Sequence, residues 1–78
     1  MWTYEIYNTS TKETLFIKHS WEDACETLAE WLEGSDWFDN LTKDATSDDE
    51  AFEIAERAIN DGDMPEEWVI YEERVYEI

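Results

Sequence analysis

Hydrophobic and polar positions alternate at the start of the chain. Trp2, Tyr4 and Ile6 share one parity and Thr3, Glu5 and Tyr7 the other, which is the two-residue period of a β-strand. Asn8 to Glu13 is polar and turn-prone, and Thr14 to Lys18 alternates again, with Leu15 and Ile17 on one face and Phe16 opposite. Two strands joined by a short polar segment predict an antiparallel hairpin. At Ser20 the period lengthens. Trp21, Cys25, Leu28 and Leu32 recur at helical spacing, with Ala24, Ala29 and Trp31 widening the stripe. Ser20 is a suitable N-cap with Asp23 three residues on, and Gly34 ends the helix.

Ser35 opens a short helical turn from Asp36 to about Lys43, whose apolar side is Trp37, Phe38 and Leu41. Ser47-Asp48-Asp49-Glu50 has the form of a capping box and begins a third helix with Ala51, Phe52, Ala55, Ala58 and Ile59 inward. Asn60-Asp61-Gly62-Asp63 closes it, and Pro65 prevents its resumption. From Trp68 the chain is strand-like, with Val69, Tyr71 and Val75 on one parity and Ile70, Tyr76 and Ile78 on the other. Glu72-Glu73 lacks the Gly or Asn of a tight turn, so one long strand is expected. The order β-β-α-(α)-α-β predicts an α+β fold: a single domain over 1-78, an antiparallel sheet made of an N-terminal hairpin and a C-terminal strand, and two to three acidic helices on one face.

Composition then changes the picture. With 42% hydrophobic and 15% aromatic residues the chain is too apolar for a disordered acidic tail. Its net charge is nevertheless −17, and 17 of its 22 carboxylates lie between Glu22 and Glu67, where Lys43 and Arg57 are the only bases. Self-repulsion of this kind lowers stability, so the charge is expected to serve a basic partner. The lack of a basic, apolar leader and of a long apolar run predicts a cytoplasmic protein that avoids membranes. Five scattered bases exclude direct nucleic-acid binding.

Catalytic chemistry is thin. His19, the sole histidine, falls at a strand-to-helix junction and is expected to be structural. Cys25 lies on an apolar stripe in a negative field that suppresses a thiolate. Two glycines cannot form a phosphate loop, and Asn60-Asp61-Gly62-Asp63 places Gly62 at the third position of an EF-hand alignment rather than the sixth. No enzyme activity, cofactor or dedicated metal site is expected.

The acidic rows carry the functional signal. Glu22, Glu26, Glu30 and Glu33 follow one another at steps of 4, 4 and 3 opposite the apolar stripe, with no base between Glu22 and Thr42. Like charges at this spacing destabilise a helix. Asp49, Glu53 and Glu56 repeat the arrangement on the third helix, and Asp36 and Asp39 lie in the connection. Trp37 and Phe38 either belong to the core or serve as exposed aromatic anchors. Four helical residues rise about 6 Å, so two such rows are able to imitate the charge track of a duplex. The partner would then be a basic nucleic-acid-binding protein, with this chain a monomer or homodimer. The alternative is an acidic protein of antitoxin or immunity type that neutralises a basic protein without mimicking DNA.

In size, single-domain build, low pI and acidic helices around aromatic residues, the chain resembles the small acidic proteins that bacteriophages and mobile elements direct against host defences: anti-restriction proteins, anti-CRISPR proteins and uracil-DNA glycosylase inhibitors. That resemblance implies stoichiometric inhibition, in which the nucleic-acid site of a host protein is occluded without catalysis.

Overall fold

A computed structural model describes residues 2–74. The elements run β1 (Trp2–Asn8), β2 (Glu13–Lys18), α1 (Trp21–Leu32), α2 (Asp36–Thr42), α3 (Asp48–Asn60) and β3 (Trp68–Arg74), so the protein is α+β. Its three-stranded sheet is antiparallel throughout, in the order β2-β1-β3. The chain forms two compact units, one made of the described residues up to Ala24 together with those from Pro65, the other of Cys25–Met64.

In the sheet unit, β1 is central, with β2 hydrogen-bonded along one edge and β3 along the other. Ile6 pairs with Phe16 of β2 and with Ile70 of β3, and Tyr4 pairs with Lys18 and Glu72. Ile6 is fully buried and the Trp21 ring meets Tyr4 edge-on at 5.7 Å, so Tyr4 and Ile6 face inward, whereas Trp2 on the same parity is exposed. On the other face Tyr7 and Tyr71 lie 5.8 Å apart, while the Thr14 hydroxyl donates to Glu5 Oε2 at 2.7 Å. Two of this unit's bases are engaged with rings, Lys18 over Phe16 at 5.1 Å and Arg74 over Trp2 at 5.9 Å. The hairpin turns because Asn8 Oδ1 accepts from the backbone N–H groups of Ser10 and Thr11, and Lys12 takes the left-handed φ of 60°.

β2 departs from simple alternation. Its register shifts opposite Ile6 and Tyr7, so that Thr14 rather than Leu15 pairs with Tyr7. This bulge moves Thr14 to the face opposite Phe16, although both have the same parity. β3 runs unbroken through Glu72 and Glu73, the single strand expected there. The expected continuation through Val75, Tyr76 and Ile78 lies outside the described residues.

In the helical unit, α2 meets α3 through Phe38 and Phe52, whose rings approach edge-on at 5.6 Å. Phe38 is buried, which places it in the core. Ser35 Oγ accepts from Phe38 N at 3.2 Å and Ser47 Oγ from Glu50 N at 3.2 Å, so both serines cap as their positions predict. The reciprocal half of the second box differs from expectation. Glu50 Oε2 accepts from the Thr46 hydroxyl at 2.6 Å and from Thr46 N at 3.3 Å, one residue before the cap. α3 ends in a Schellman motif: Asp63 N donates to Ala58 O at 2.8 Å, Gly62 N donates to Ile59 O at 3.0 Å, and Gly62 holds a φ of 85°.

Candidate partner-binding surface

The first acidic row is a product of helical phase. α1 starts where Ser20 Oγ accepts from Asp23 N at 3.1 Å. From there the 3.6-residue period turns Ala24, Cys25, Leu28, Ala29 and Leu32 inward, all buried. Glu22, Glu26, Glu30 and Glu33 consequently face solvent. One expected member of the apolar stripe is displaced. Trp31 is 56% exposed, because its phase lies beyond the buried sector spanned by Ala24, Leu28 and Leu32. Leucine and alanine fill that sector, and the indole remains on the outer side of the helix.

On α3 the same logic buries Ala55 and Ile59 and leaves Asp49 and Glu53 exposed, with Glu56 half-buried at the margin. Electrostatics then relate the two helices. Partial burial raises the pKa of Glu56, and the charges of Glu26 and Glu30 from α1 and of Glu53 from α3 raise it further. Two carboxylates of the first row and one of the second are therefore near enough to act on Glu56. Of the remaining candidates, Asp36 and Asp39 are exposed in the first turn of α2 and Trp37 is half-buried beside them. Glu22 stands in the first turn of α1, within the unit that holds the sheet. Glu33 and Asp39 both line an open groove of about 420 Å³, together with Asp48. Asp48 was not singled out by the sequence pattern, since its position in a capping sequence already accounts for an acid there.

Comparison with protein-family models, curated proteins and solved structures returned no match.

Other chemistry on this surface is limited. Burial, with a smaller contribution from Glu56, pushes the Cys25 thiol up to about 11, so the group stays protonated and weakly nucleophilic at neutral pH. Among the described residues no group of three or more His, Cys, Asp or Glu side chains is disposed to hold a metal ion. No helix among them is long and apolar enough to cross a membrane. His19 is exposed at the β2–α1 junction, and Asp61 and Asp63 belong to the exposed turn that closes α3.

The acidic cluster should leave a mark on stability. A Glu56 pKa above the ordinary glutamate value means that the folded state holds a proton more tightly than the unfolded chain. Its contribution to stability is thus complete below the unfolded pKa and is lost as pH rises through the folded one. Glu50 has the opposite sign: hydrogen bonds from Thr46 lower its pKa, so its contribution is present above 4.5 and disappears as pH falls through the folded value. Thermal melts at constant ionic strength should show the melting temperature rising as pH falls from 7 toward about 5. Glu56→Gln should raise the pH 7 value and flatten that rise.

Proposed function

We propose that this protein is a stoichiometric inhibitor whose acidic helical surface imitates nucleic acid and occludes the basic DNA- or RNA-binding site of a host defence protein. The observation that carries this reading is that Glu26 and Glu30 from α1 and Glu53 from α3 stand near enough to Glu56 to raise its pKa beyond the rise caused by its partial burial. A surface selected for solubility alone intersperses bases and avoids such crowding of like charge. Here the Cys25–Met64 unit has thirteen carboxylates against Lys43 and Arg57, a net charge of −11. Successive carboxylates along α1 are separated axially by about 4.5 to 6 Å. That spacing is of the order of the phosphate track of a nucleic acid, so Lys and Arg arrayed along a binding cleft meet a comparable series of charges. A cytoplasmic site of action fits a nucleic-acid-binding target.

The test is competition. A basic protein captured from a bacterial lysate at low salt should be released by rising salt, and duplex DNA or RNA should displace this chain from it one for one. A captured protein whose own nucleic-acid binding proceeds undisturbed in the complex would refute mimicry. That outcome would favour the antitoxin or immunity reading.

A further inference from the structure

β2 forms one edge of the sheet. Among the described residues it is hydrogen-bonded to β1 alone, so the N–H and C=O groups along its other side have no strand to receive them. β3 forms the other edge, but it exposes the adjacent carboxylates of Glu72 and Glu73, which oppose the approach of another negative chain. β2 differs. It holds one acid, Glu13, and one base, Lys18, and is the only described strand or helix whose charges cancel, in a chain of net charge −17. Its apolar side chains are open to solvent as well. Phe16 is 41% exposed although it pairs with the fully buried Ile6, and Ile17 is 58% exposed.

The bulge decides which side chains of this edge share a face. Glu13 pairs with Asn8, Phe16 with Ile6 and Lys18 with Tyr4, and these three β1 residues have one parity. One face of β2 therefore reads Glu13, Phe16, Lys18. Without the extra residue of the bulge, Glu13 would lie on the opposite face. Read backwards, the same face runs Lys18, Phe16, Glu13. An antiparallel copy laid along the edge and centred on Phe16 consequently sets Glu13 against Lys18 at both ends and Phe16 against Phe16 between them. Opposite charges and facing aromatic rings are cross-strand pairs that stabilise a sheet. On the other face, Ile17 of each copy meets Leu15 of the other.

We propose that β2 pairs antiparallel with β2 of a second copy of this chain, about a two-fold axis at Phe16, so that the two sheets become one. The contact is isologous, and each favourable pair occurs twice. It places the neutral edge of a strongly negative protein where two copies meet. The proposal is independent of any nucleic-acid-binding partner, and salt separates the two. Screening weakens a complex with a basic protein but strengthens the pairing of two copies that are both negative.

Sedimentation equilibrium of the full chain tests it. At protein concentrations up to about 1 mM, a monomer–dimer equilibrium is expected that shifts toward dimer as salt rises. Glu13→Lys and Lys18→Glu each bring like charges together twice across the axis, and each should weaken the dimer about fivefold to tenfold. Mixing these two variants restores both opposite-charge pairs, so they should form a heterodimer tighter than either homodimer. The double variant, whose net charge is unchanged, should regain the original affinity. In a mixture of isotope-labelled and unlabelled protein, nuclear Overhauser contacts between copies should join Phe16 to Phe16 and Ile17 to Leu15. A monomer at every concentration and salt, a mixture of the single variants no tighter than either alone, or contacts confined to β3 or the helices would each overturn the proposal. A partner indifferent to nucleic acid would refute mimicry and leave this equilibrium unchanged, so the two failures are distinguishable.

Discussion

Replacing Glu26, Glu30, Glu53 and Glu56 together with glutamine should weaken the complex with a basic partner by about thirtyfold to a thousandfold at low salt, while making the protein itself more stable. Four charge contacts, three of them exposed and one half-buried, at roughly 0.5–1 kcal/mol each give about 2–4 kcal/mol in total. The stability change has the opposite sign because the Glu56 carboxylate is partly buried and the charges of Glu26, Glu30 and Glu53 act against its ionised form, both of which raise its pKa. A variant that merely misfolded would lose both properties, so opposed changes in affinity and melting temperature identify a binding surface. A second quadruple variant, with Glu13, Glu66, Glu72 and Glu73 changed to glutamine, removes the same net charge from exposed positions of the sheet unit. It should slow association modestly through the weaker long-range field and leave dissociation nearly unchanged. The salt dependence adds a further check. Duplex DNA releases condensed counterions when it binds, whereas these carboxylates are spread over a folded surface and should condense fewer. The logarithmic salt slope of the complex should therefore be negative but shallower than that of the same partner on DNA. Calorimetry or surface-based kinetics with both quadruple variants, across a salt series, measures all of these quantities. Equal loss of affinity in the two variants would remove the α1 and α3 rows from the binding site.

The elements were legible in the chain wherever period and capping agreed. β1 shows in the Trp2-Tyr4-Ile6 alternation, α1 and α3 in their apolar stripes bounded by Ser20 and Ser47, and β3 in the absence of turn residues at Glu72-Glu73. The α+β class follows from their order. Strand order was not legible, since nothing in β2 or β3 alone says which edge of β1 each takes. The bulge in β2 was also hidden, because it arises from the fit of Thr14 rather than Leu15 to Tyr7, a pairing that the alternation along β2 alone does not reveal. Trp31 was misplaced for a related reason. A large apolar residue next to a helical stripe extends it on paper, but its 56% exposure shows that small and branched side chains had already filled the sector. The acidic rows could be read as phases on two separate helices. Their mutual influence at Glu56, and the grouping of Asp48 with Glu33 and Asp39 around one groove, depend on how the helices meet, which no single-helix pattern contains.

The largest effect on stability is expected from Leu28→Ala. Leu28 has no exposed surface, and removing a fully buried leucine side chain costs about 2.7–5 kcal/mol through lost burial and the cavity left behind. A chain of 78 residues has a total stability of about 4–12 kcal/mol at the usual 0.05–0.15 kcal/mol per residue. This one carries the added burden of its own charge, which places it toward the lower end. Leu28→Ala should consequently leave a substantial unfolded population at 37 °C and low salt. Salt should restore part of the fold by screening repulsion among the carboxylates, an effect to which a cavity alone is largely indifferent. Trp31→Ala, three residues away on the same helix, removes a larger side chain but one mostly in water, and should change stability by no more than about 0.5 kcal/mol. Urea denaturation of the two variants, each at low and high salt, decides the matter. A small loss at Leu28 or a large one at Trp31 would mean that α1 presents a different face to the core than its burial pattern shows, and the acidic row opposite that face would have to be reassigned with it.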